Sequence, residues 1–288
     1  MSRGKKNSLI TVIIPTYNEE NSVAWCLLSL SVQSNPHYEI VVIDDGSSDK
    51  TIQSIENLND KVKNFRIFKQ EHKGPGEARN LGAKHAKGEI LVFIDADMTF
   101  DPNFLHELTK PIREGKTIGT DSQSEFLANP ENFWALCWNI GRFSSAGVVS
   151  DNYKTSMVPN PSNSGGIFRA ILKSEFRRVG GFERGGDYTD DESLRRKLGT
   201  NATLANNAKF YHYNPSSLSE VWHRAIWIGS GRNFTGSSRS KIINIPRFLL
   251  PLSVIKGLVI GLRYNYPRFV FFKIVYDAAI WIAILRSL

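Results

Sequence analysis

The chain has 288 residues, of which 41% are hydrophobic and 22% charged, a composition that packs a large core and is far from that of a disordered segment. Its 22 glycines and 12 prolines are ordinary counts, and no repeat of ~20–50 residues runs through it, so collagen-like, linker-dominated, solenoid and propeller architectures are excluded. Net charge is +8, yet Arg239, Lys241, Arg247, Lys256, Arg263, Arg268, Lys273 and Arg286 face only Asp277 after Ser238; the tail holds +7 and the first 238 residues +1, so no nucleic acid is expected as a partner of the core.

The two cysteines, Cys26 and Cys137, have neither CxxC spacing nor a histidine cluster nearby, which fits no disulfide framework and no structural zinc site. MSRGKKNSL is a basic tail running straight into an apolar stretch, without the hydrophobic core of a signal peptide, and a cytosolic chain is expected.

In chain order, Leu9–Ile14 reads as a buried parallel strand stopped by Pro15, and Asn18 as the cap of a helix with Val23, Leu27 and Leu30 on its inner face. Glu39–Asp44 is a second strand ending in Asp45-Gly46. Ser47 or Ser48 is expected to cap the next helix, which buries Ile52, Ile55 and Leu58. Arg66–Phe68 is a short third strand, Gly74-Pro-Gly76 opens a helix through Lys87, and Glu89–Ile94 is a fourth strand leading into Asp95-Ala96-Asp97. Such alternation predicts an α/β fold with a mostly parallel sheet and helices on both faces, binding its ligand at the carboxyl ends of the strands. Tyr17, Asp45, Asp95 and Asp97 all fall at those ends.

The second half is less regular. Pro130–Ser145 is expected to be a helix whose Trp134, Trp138 and Phe143 are core residues, and Ile167–Arg169 a strand after the turn Ser162–Gly166. Lys209–His212 reads as a last strand, and Ser217–Glu220 as a capping box opening a helix to about Arg232. Phe248–Leu262 and Phe269–Leu285 are apolar stretches, both shorter than the ~20 residues that cross a bilayer comfortably. The expected organisation is a basic tail over 1–8, a main domain over 9–236 and an apolar, basic helical tail over 237–288.

Two aspartates one residue apart at a strand end suit a hard divalent cation whose other ligands are phosphate oxygens. By themselves Asp95 and Asp97 fit a self-capped turn somewhat better; the second acidic strand end at Asp44-Asp45 and the Pro15-Thr16-Tyr17-Asn18-Glu19 segment at a third add to the first reading. At these residues the chain resembles the family 2 glycosyltransferases. The matching pieces are VIIPTYNEE (12–20), EIVVIDDGSSD (39–49), GPGEARNLGAKHAKGEILVFIDAD (74–97), FRRVGGFE (176–183), TDDESLRRKL (189–198) and FYHYNPSSLSEVWHR (210–224). Together they extend over about three-quarters of the chain, and several ordered motifs are more specific than any one.

The resemblance implies a Rossmann-like GT-A fold and inverting transfer of a sugar from a nucleotide-diphosphate sugar, UDP- or GDP-linked. It implies that Pro15, Thr16 and Tyr17 wall the nucleotide base, that Glu19 holds the nucleoside and that Asp45 accepts from the base. Arg79 would neutralise part of the diphosphate, Ala96 would line the donor, Asp97 would ligate Mn2+ or Mg2+ directly with Asp95 on the ribose or on a metal-bound water of the same site, and His212 would complete the metal site. Gly166, with Gly165, would let backbone approach the sugar or the acceptor closely. The family pattern E-D-x-D/E-L-x-x-R-L reads here as 190–198, with Asp for Glu at 190 and Ser for an acid at 193; one register makes Asp191 the general base and the other makes it Asp190.

Two further readings are weighed. A nucleotidyltransferase would carry a glycine-rich, basic phosphate loop after the first strand, where this chain has the acidic PTYNEE. An inactive nucleotide-sugar-binding scaffold need not keep Asp45, Asp97 and Asp191 together. The apolar, +7 tail is expected to lie on a membrane surface bearing anionic lipid, at the cytoplasmic face; the alternatives are a helical hairpin on the main domain or in an oligomer, and a short, tilted hairpin in the membrane. The acceptor expected there is a polyprenyl phosphate or a glycolipid.

Overall fold

The computed structural model describes residues 8–35, 37–122, 124–147, 151–156, 167–183, 190–230 and 245–286. Ten strands are laid out among these residues: β1 (Ile10–Thr16), β2 (Tyr38–Asp44), β3 (Phe65–Lys69), β4 (Ile90–Phe93), β5 (Met98–Phe100), β6 (Gly119–Asp121), β7 (Glu125–Leu127), β8 (Ala170–Leu172), β9 (Thr203–Leu204) and β10 (Phe210–His212). The helices are α1 (Val23–Ser31), α2 (Thr51–Glu56), α3 (Pro75–His85), α4 (Phe104–Arg113), α5 (Phe133–Ser145), α6 (Lys173–Arg178), α7 (Asp190–Leu198), α8 (Leu218–Ser230), α9 (Leu250–Arg263) and α10 (Phe269–Arg286).

The main sheet has seven strands in the order β3-β2-β1-β4-β8-β6-β9. Strands β3, β2, β1 and β4 run parallel, β8 is antiparallel to both neighbours, and β6 and β9 pair parallel. The apolar runs of β1, β2 and β4 are buried on both faces because helices cover both. Val12, Ile14, Ile40 and Val42 pack with Val23, Leu27 and Leu30 of α1. With the period of two, the alternate residues turn to the other side, where Ile13 meets Ala83 of α3 and Val41 and Ile43 meet Ala78. That side leaves no room for a side chain at 82: a Cβ on Gly82 would lie 2.4 Å from Ile13 Cγ2.

The expected α/β fold is therefore present, with local differences. The strand expected at Ile167–Arg169 forms at Ala170–Leu172, because it is this Ala-Ile-Leu run that pairs with Ile90–Val92 inside the sheet. Asn18 does not cap α1. It sits at φ 55° and ties the β1 and β2 loops together: its amide donates to Ser47 Oγ at 3.0 Å, and its Oδ1 accepts from the Ser48 amide at 2.8 Å. The helix after β2 starts at Thr51 rather than at Ser47 or Ser48, and its first amide donates to Asp49 Oδ1 at 3.0 Å. At α8 Ser217 caps as expected, its Oγ accepting from the Glu220 amide at 3.1 Å, while the Glu220 carboxylate reaches one residue further back, to the Ser216 amide at 2.8 Å.

The chain divides into two compact units, Met1–Phe126 with Pro159–His212, and Leu127–Val158 with Tyr213–Leu288. The first holds the seven-stranded sheet. In the second, α10 packs against both α8 and α9. Trp134 and Trp138 of α5 stand against Phe272 and Tyr276 of α10, and Phe143 is buried, so these three aromatics are core residues. Among the described residues no helix is long and apolar enough to cross a membrane.

Candidate active site

Because β2, β1 and β4 are adjacent and parallel, their carboxyl ends lie along one edge of the sheet. Tyr17 follows β1, Asp45 follows β2, and Asp95, Ala96 and Asp97 follow β4. The thiol of Cys26 registers this convergence. It is fully buried in α1 with Sγ 3.7 Å from the Asp95 carbonyl, and its pKa is pushed up by burial first and then by the carboxylates of Asp97, Asp95 and Glu19.

At the β1 end, Pro15 is half-buried, the buried Thr16 hydroxyl donates to the Ile43 carbonyl at 3.3 Å, and the Tyr17 ring is 44% exposed. Tyr17 stacks on His72 with 4.1 Å between ring centres. Glu19 is occupied at the entrance to α1, where its carboxylate accepts from the Ser22 hydroxyl and its amide donates to Thr51 Oγ1 at 2.7 Å. Asp45 is buried and both its oxygens are engaged by the 70–74 loop. Oδ1 accepts from the Lys73 amide at 2.9 Å and from Gln70 Nε2 at 2.6 Å; Oδ2 accepts from the Gly74 amide at 2.8 Å and lies 2.9 Å from His72 Nδ1. Asp45 thus anchors the loop that brings His72 over Tyr17.

At the β4 end, Arg79 comes from the first turns of α3, almost wholly buried, and its Nη2 donates to Asp95 Oδ1 at 2.8 Å. Asp95 keeps its side chain 41% exposed. A narrow hollow of about 20 Å3, room for one water, is bordered by Arg79, Asp95, Phe168 and Arg169. The Arg169 guanidinium lies over the Phe210 ring at 4.4 Å, with Nε 3.9 Å from Asp121 Oδ1.

The short second sheet completes the arrangement. Its order is β5-β10-β7, and the antiparallel register sets His212 opposite Met98, next to Asp97. His212 Nε2 is 3.2 Å from Asp97 Oδ2, and His212 Nδ1 is 2.8 Å from Glu125 Oε1. Burial alone would lower the His212 pKa, but Asp97 and Glu125 outweigh it and raise it to about 10, so the ring is an imidazolium between two carboxylates.

Asp190 and Asp191 form the start of α7; their side chains, like Gly165 and Gly166, lie outside the described residues. One turn further on, Leu194 is buried with Phe93 of β4 and Phe182, and α7 packs against α3, the helix that carries Arg79. The Ser193 hydroxyl accepts from the Glu183 amide at 3.2 Å, joining α7 to the segment before it.

Among the described residues no group of three His, Cys, Asp or Glu side chains is placed to hold a metal ion. Asp97 and His212 are two such groups, a hard oxygen and a ring nitrogen 3.2 Å apart and paired with each other. Once the ring gives up its Nε2 proton they fit Mn2+ or Mg2+ where a diphosphate supplies further oxygens, metal and proton competing for the same nitrogen. Glu125, His72, Gln70 and Arg169 escaped the sequence reading. None lies in one of the acidic strand-end motifs, and their signal is positional, visible only once β7, β8, β10 and the 70–74 loop are placed.

A family model described as Glycosyl transferase family 2 matches residues 11–172, more than half of the chain. Among curated relatives, the poly(ribitol-phosphate) beta-N-acetylglucosaminyltransferase TarS of Staphylococcus aureus is 41% identical over 91 residues, 30% of this chain and 16% of its own length. An uncharacterized glycosyltransferase of Rickettsia bellii is 33% identical over 177 residues, 61% of this chain and 25% of its own. The matched stretches thus span a quarter or less of these relatives. Among solved structures, a mannosyltransferase of Pyrobaculum calidifontis in complex with GDP-Man and Mn2+ superposes with a TM-score of 0.57 at 18% identity, covering 99% of this chain and 89% of that one. Residues 1–349 of S. aureus TarS with UDP-GlcNAc superpose at 0.52 and 15% identity, covering 96% and 92%. These similarities show the GT-A type of fold.

Proposed function

We propose, from the premise that this chain belongs to glycosyl transferase family 2, that it moves a sugar from a UDP- or GDP-linked donor to an acceptor hydroxyl or phosphate with inversion at the anomeric carbon. The observation that carries this reading is the Asp97–His212 pair beside the Arg79–Asp95 ion pair at the edge where Tyr17 and Asp45 also end. Carboxylates suited to a divalent cation and a guanidinium suited to phosphate oxygens share that edge. The donors in the similar structures, UDP-GlcNAc and GDP-Man, support the substrate class.

In this reading Tyr17 and His72 offer the nucleobase an aromatic surface, while Asp45 holds the loop beneath it. Arg79 stands where the diphosphate would lie, and Arg169 adds a second buried cation on the same side of Asp95. Asp97 and His212 would hold Mn2+ or Mg2+, which when bound supplies Lewis-acid neutralisation of the leaving diphosphate. Glu125 orients His212 through Nδ1, as an outer carboxylate does for a ligating imidazole. A carboxylate at the start of α7, Asp191 or in the alternative register Asp190, takes the acceptor proton as the acceptor oxygen attacks C1 opposite the leaving group. The tail over 237–288, with its positive charge, would bring this chemistry to the cytoplasmic face of a membrane and to a lipid-linked acceptor.

The test is a panel of nucleotide sugars scored for nucleoside diphosphate release with acceptor lipids, with and without Mn2+. Metal-stimulated release from one donor, lost in Asp97→Ala, is expected. Absence of nucleotide-sugar binding across the panel, with metal present, overturns the reading.

A further inference from the structure

The hairpin of α9 and α10 is built inside out with respect to water. Ser253, Gly257 and Gly261, spaced by four along α9, form its buried face. A Cβ on Gly257 would come 2.8 Å from Val270 Cα, and one on Gly261 3.0 Å from the Tyr266 carbonyl oxygen, so only small residues let α9 approach the start of α10. The consequence falls on the opposite face. Leu252 (41%), Ile255 (56%), Leu258 (47%), Val259 (60%) and Leu262 (75%) form one contiguous exposed stripe at helical spacing. A helix that buries serine and glycine and exposes leucine, isoleucine and valine is patterned for a medium other than water.

We infer that this outward face of α9 seats in the interface of a membrane containing anionic lipid. Fourteen residues span roughly 21 Å, short of the ~30 Å hydrocarbon core, so the helix lies along the surface rather than across it. Charge selects the partner. At ~100° per residue Lys256 and Arg263 fall together along one edge of the stripe, and Arg247 and Arg268 flank the helix in the chain; all four are exposed. The one acid in these two helices, Asp277, is wholly buried, accepting from Ser253 Oγ at 2.8 Å and from Lys273 Nζ at 2.6 Å, and offers nothing to oppose them. A second copy placed on the stripe would bring like-charged rims together, whereas anionic headgroups complement them. Helix α10 is the support: Phe269, Phe272, Ile280 and Ile284 are buried in the unit. This assignment rests on the membrane part of the proposed function and not on the transfer chemistry.

The test is co-sedimentation of the full chain with phosphatidylcholine vesicles, with and without phosphatidylglycerol. The wild type is expected to bind the anionic vesicles. Ile255→Gln with Leu262→Gln is expected to reduce partitioning about tenfold or more by removing apolar contact. Arg263→Gln is expected to weaken binding about fivefold on anionic vesicles only. Thermal melting and nucleoside diphosphate binding of these surface variants should match the wild type, which separates loss of the seat from loss of the fold. A wild type that stays in the supernatant with phosphatidylglycerol present, or a double variant that binds as well as wild type, overturns the inference. So does a dimer in sedimentation equilibrium that dissociates in the double variant without vesicle binding, which would give the face to a second copy. Failure of donor binding with vesicle binding intact would remove the transfer reading and leave this one standing.

Discussion

His212 Nε2 lies 3.2 Å from Asp97 Oδ2, although 114 residues separate them in the chain. The antiparallel pairing of β5 with β10 makes them neighbours, and Glu125 on the far side of β10 holds the imidazole by its other nitrogen. Three short segments thus converge on one charged cluster, and its parts can be tested separately.

Glu125→Gln keeps a hydrogen-bonding group against His212 but removes the charge. An outer partner of a ligating imidazole typically affects metal affinity by about 10–100-fold. The expected result is a loss of that size in Mn2+ affinity, read by titrating Mn2+ into the nucleoside diphosphate complex, with thermal unfolding little changed. Unaltered Mn2+ dependence would show that Glu125 does not orient a ligand.

Asp191→Asn and Asp190→Asn discriminate the two registers at the start of α7. Loss of a general base costs about 10²–10⁴-fold in rate, so one of the two should lose turnover on that scale while retaining donor affinity, and the other should change little. Single-turnover transfer with saturating donor reads the difference. If both variants transfer at the wild-type rate, the base is elsewhere.

Glu39 carries a pH-dependent share of stability. Burial works against its charge, but the Lys87 amide, the Thr11 hydroxyl and the Arg66 guanidinium together outweigh that and lower its pKa from the ordinary 4.5. The stabilisation is complete above that ordinary value and is lost as the pH falls through the lowered folded value. Glu39→Gln should cost about 1–3 kcal/mol at neutral pH, and the gap to wild type should narrow in urea melts at progressively more acid pH. A constant gap across that range would rule the linkage out.

Asp277→Ala tests the polar staple of the tail. It removes the acceptor of both Ser253 and Lys273 in a buried site, and breaking a buried pair from one side costs about 3–5 kcal/mol. Hydrogen exchange should rise in α9 and α10 while the β1–β4 amides stay protected. Unchanged protection in both helices would mean that the pair contributes nothing to holding the hairpin.

Much of the sheet was legible because β1, β2 and β4 are apolar runs that alternate with helical segments, a pattern with few parallel solutions. The strand-end acids were legible for the same reason: parallel strands put their carboxyl ends on one edge whatever the details. The strand at Ala170–Leu172 was misplaced by three residues, since a short apolar run does not announce which of its residues will find a pairing partner. Asn18 read as a helix cap because its type suits one; its positive φ and its bonds to the next loop depend on a neighbour 30 residues away.

The sequence by itself determined the kind of fold, the sheet edge where the strand-end acids gather and the residues that punctuate it, because these follow from hydrophobic period and from side-chain chemistry near in the chain. Tertiary structure alone decided that Glu125 grips His212, that His72 lies on Tyr17, and that α9 turns its leucines outward. Each of these is set by packing between distant segments: a strand register, a loop tied to a buried aspartate, and two glycines that leave no space for a Cβ against α10 or the turn leading into it.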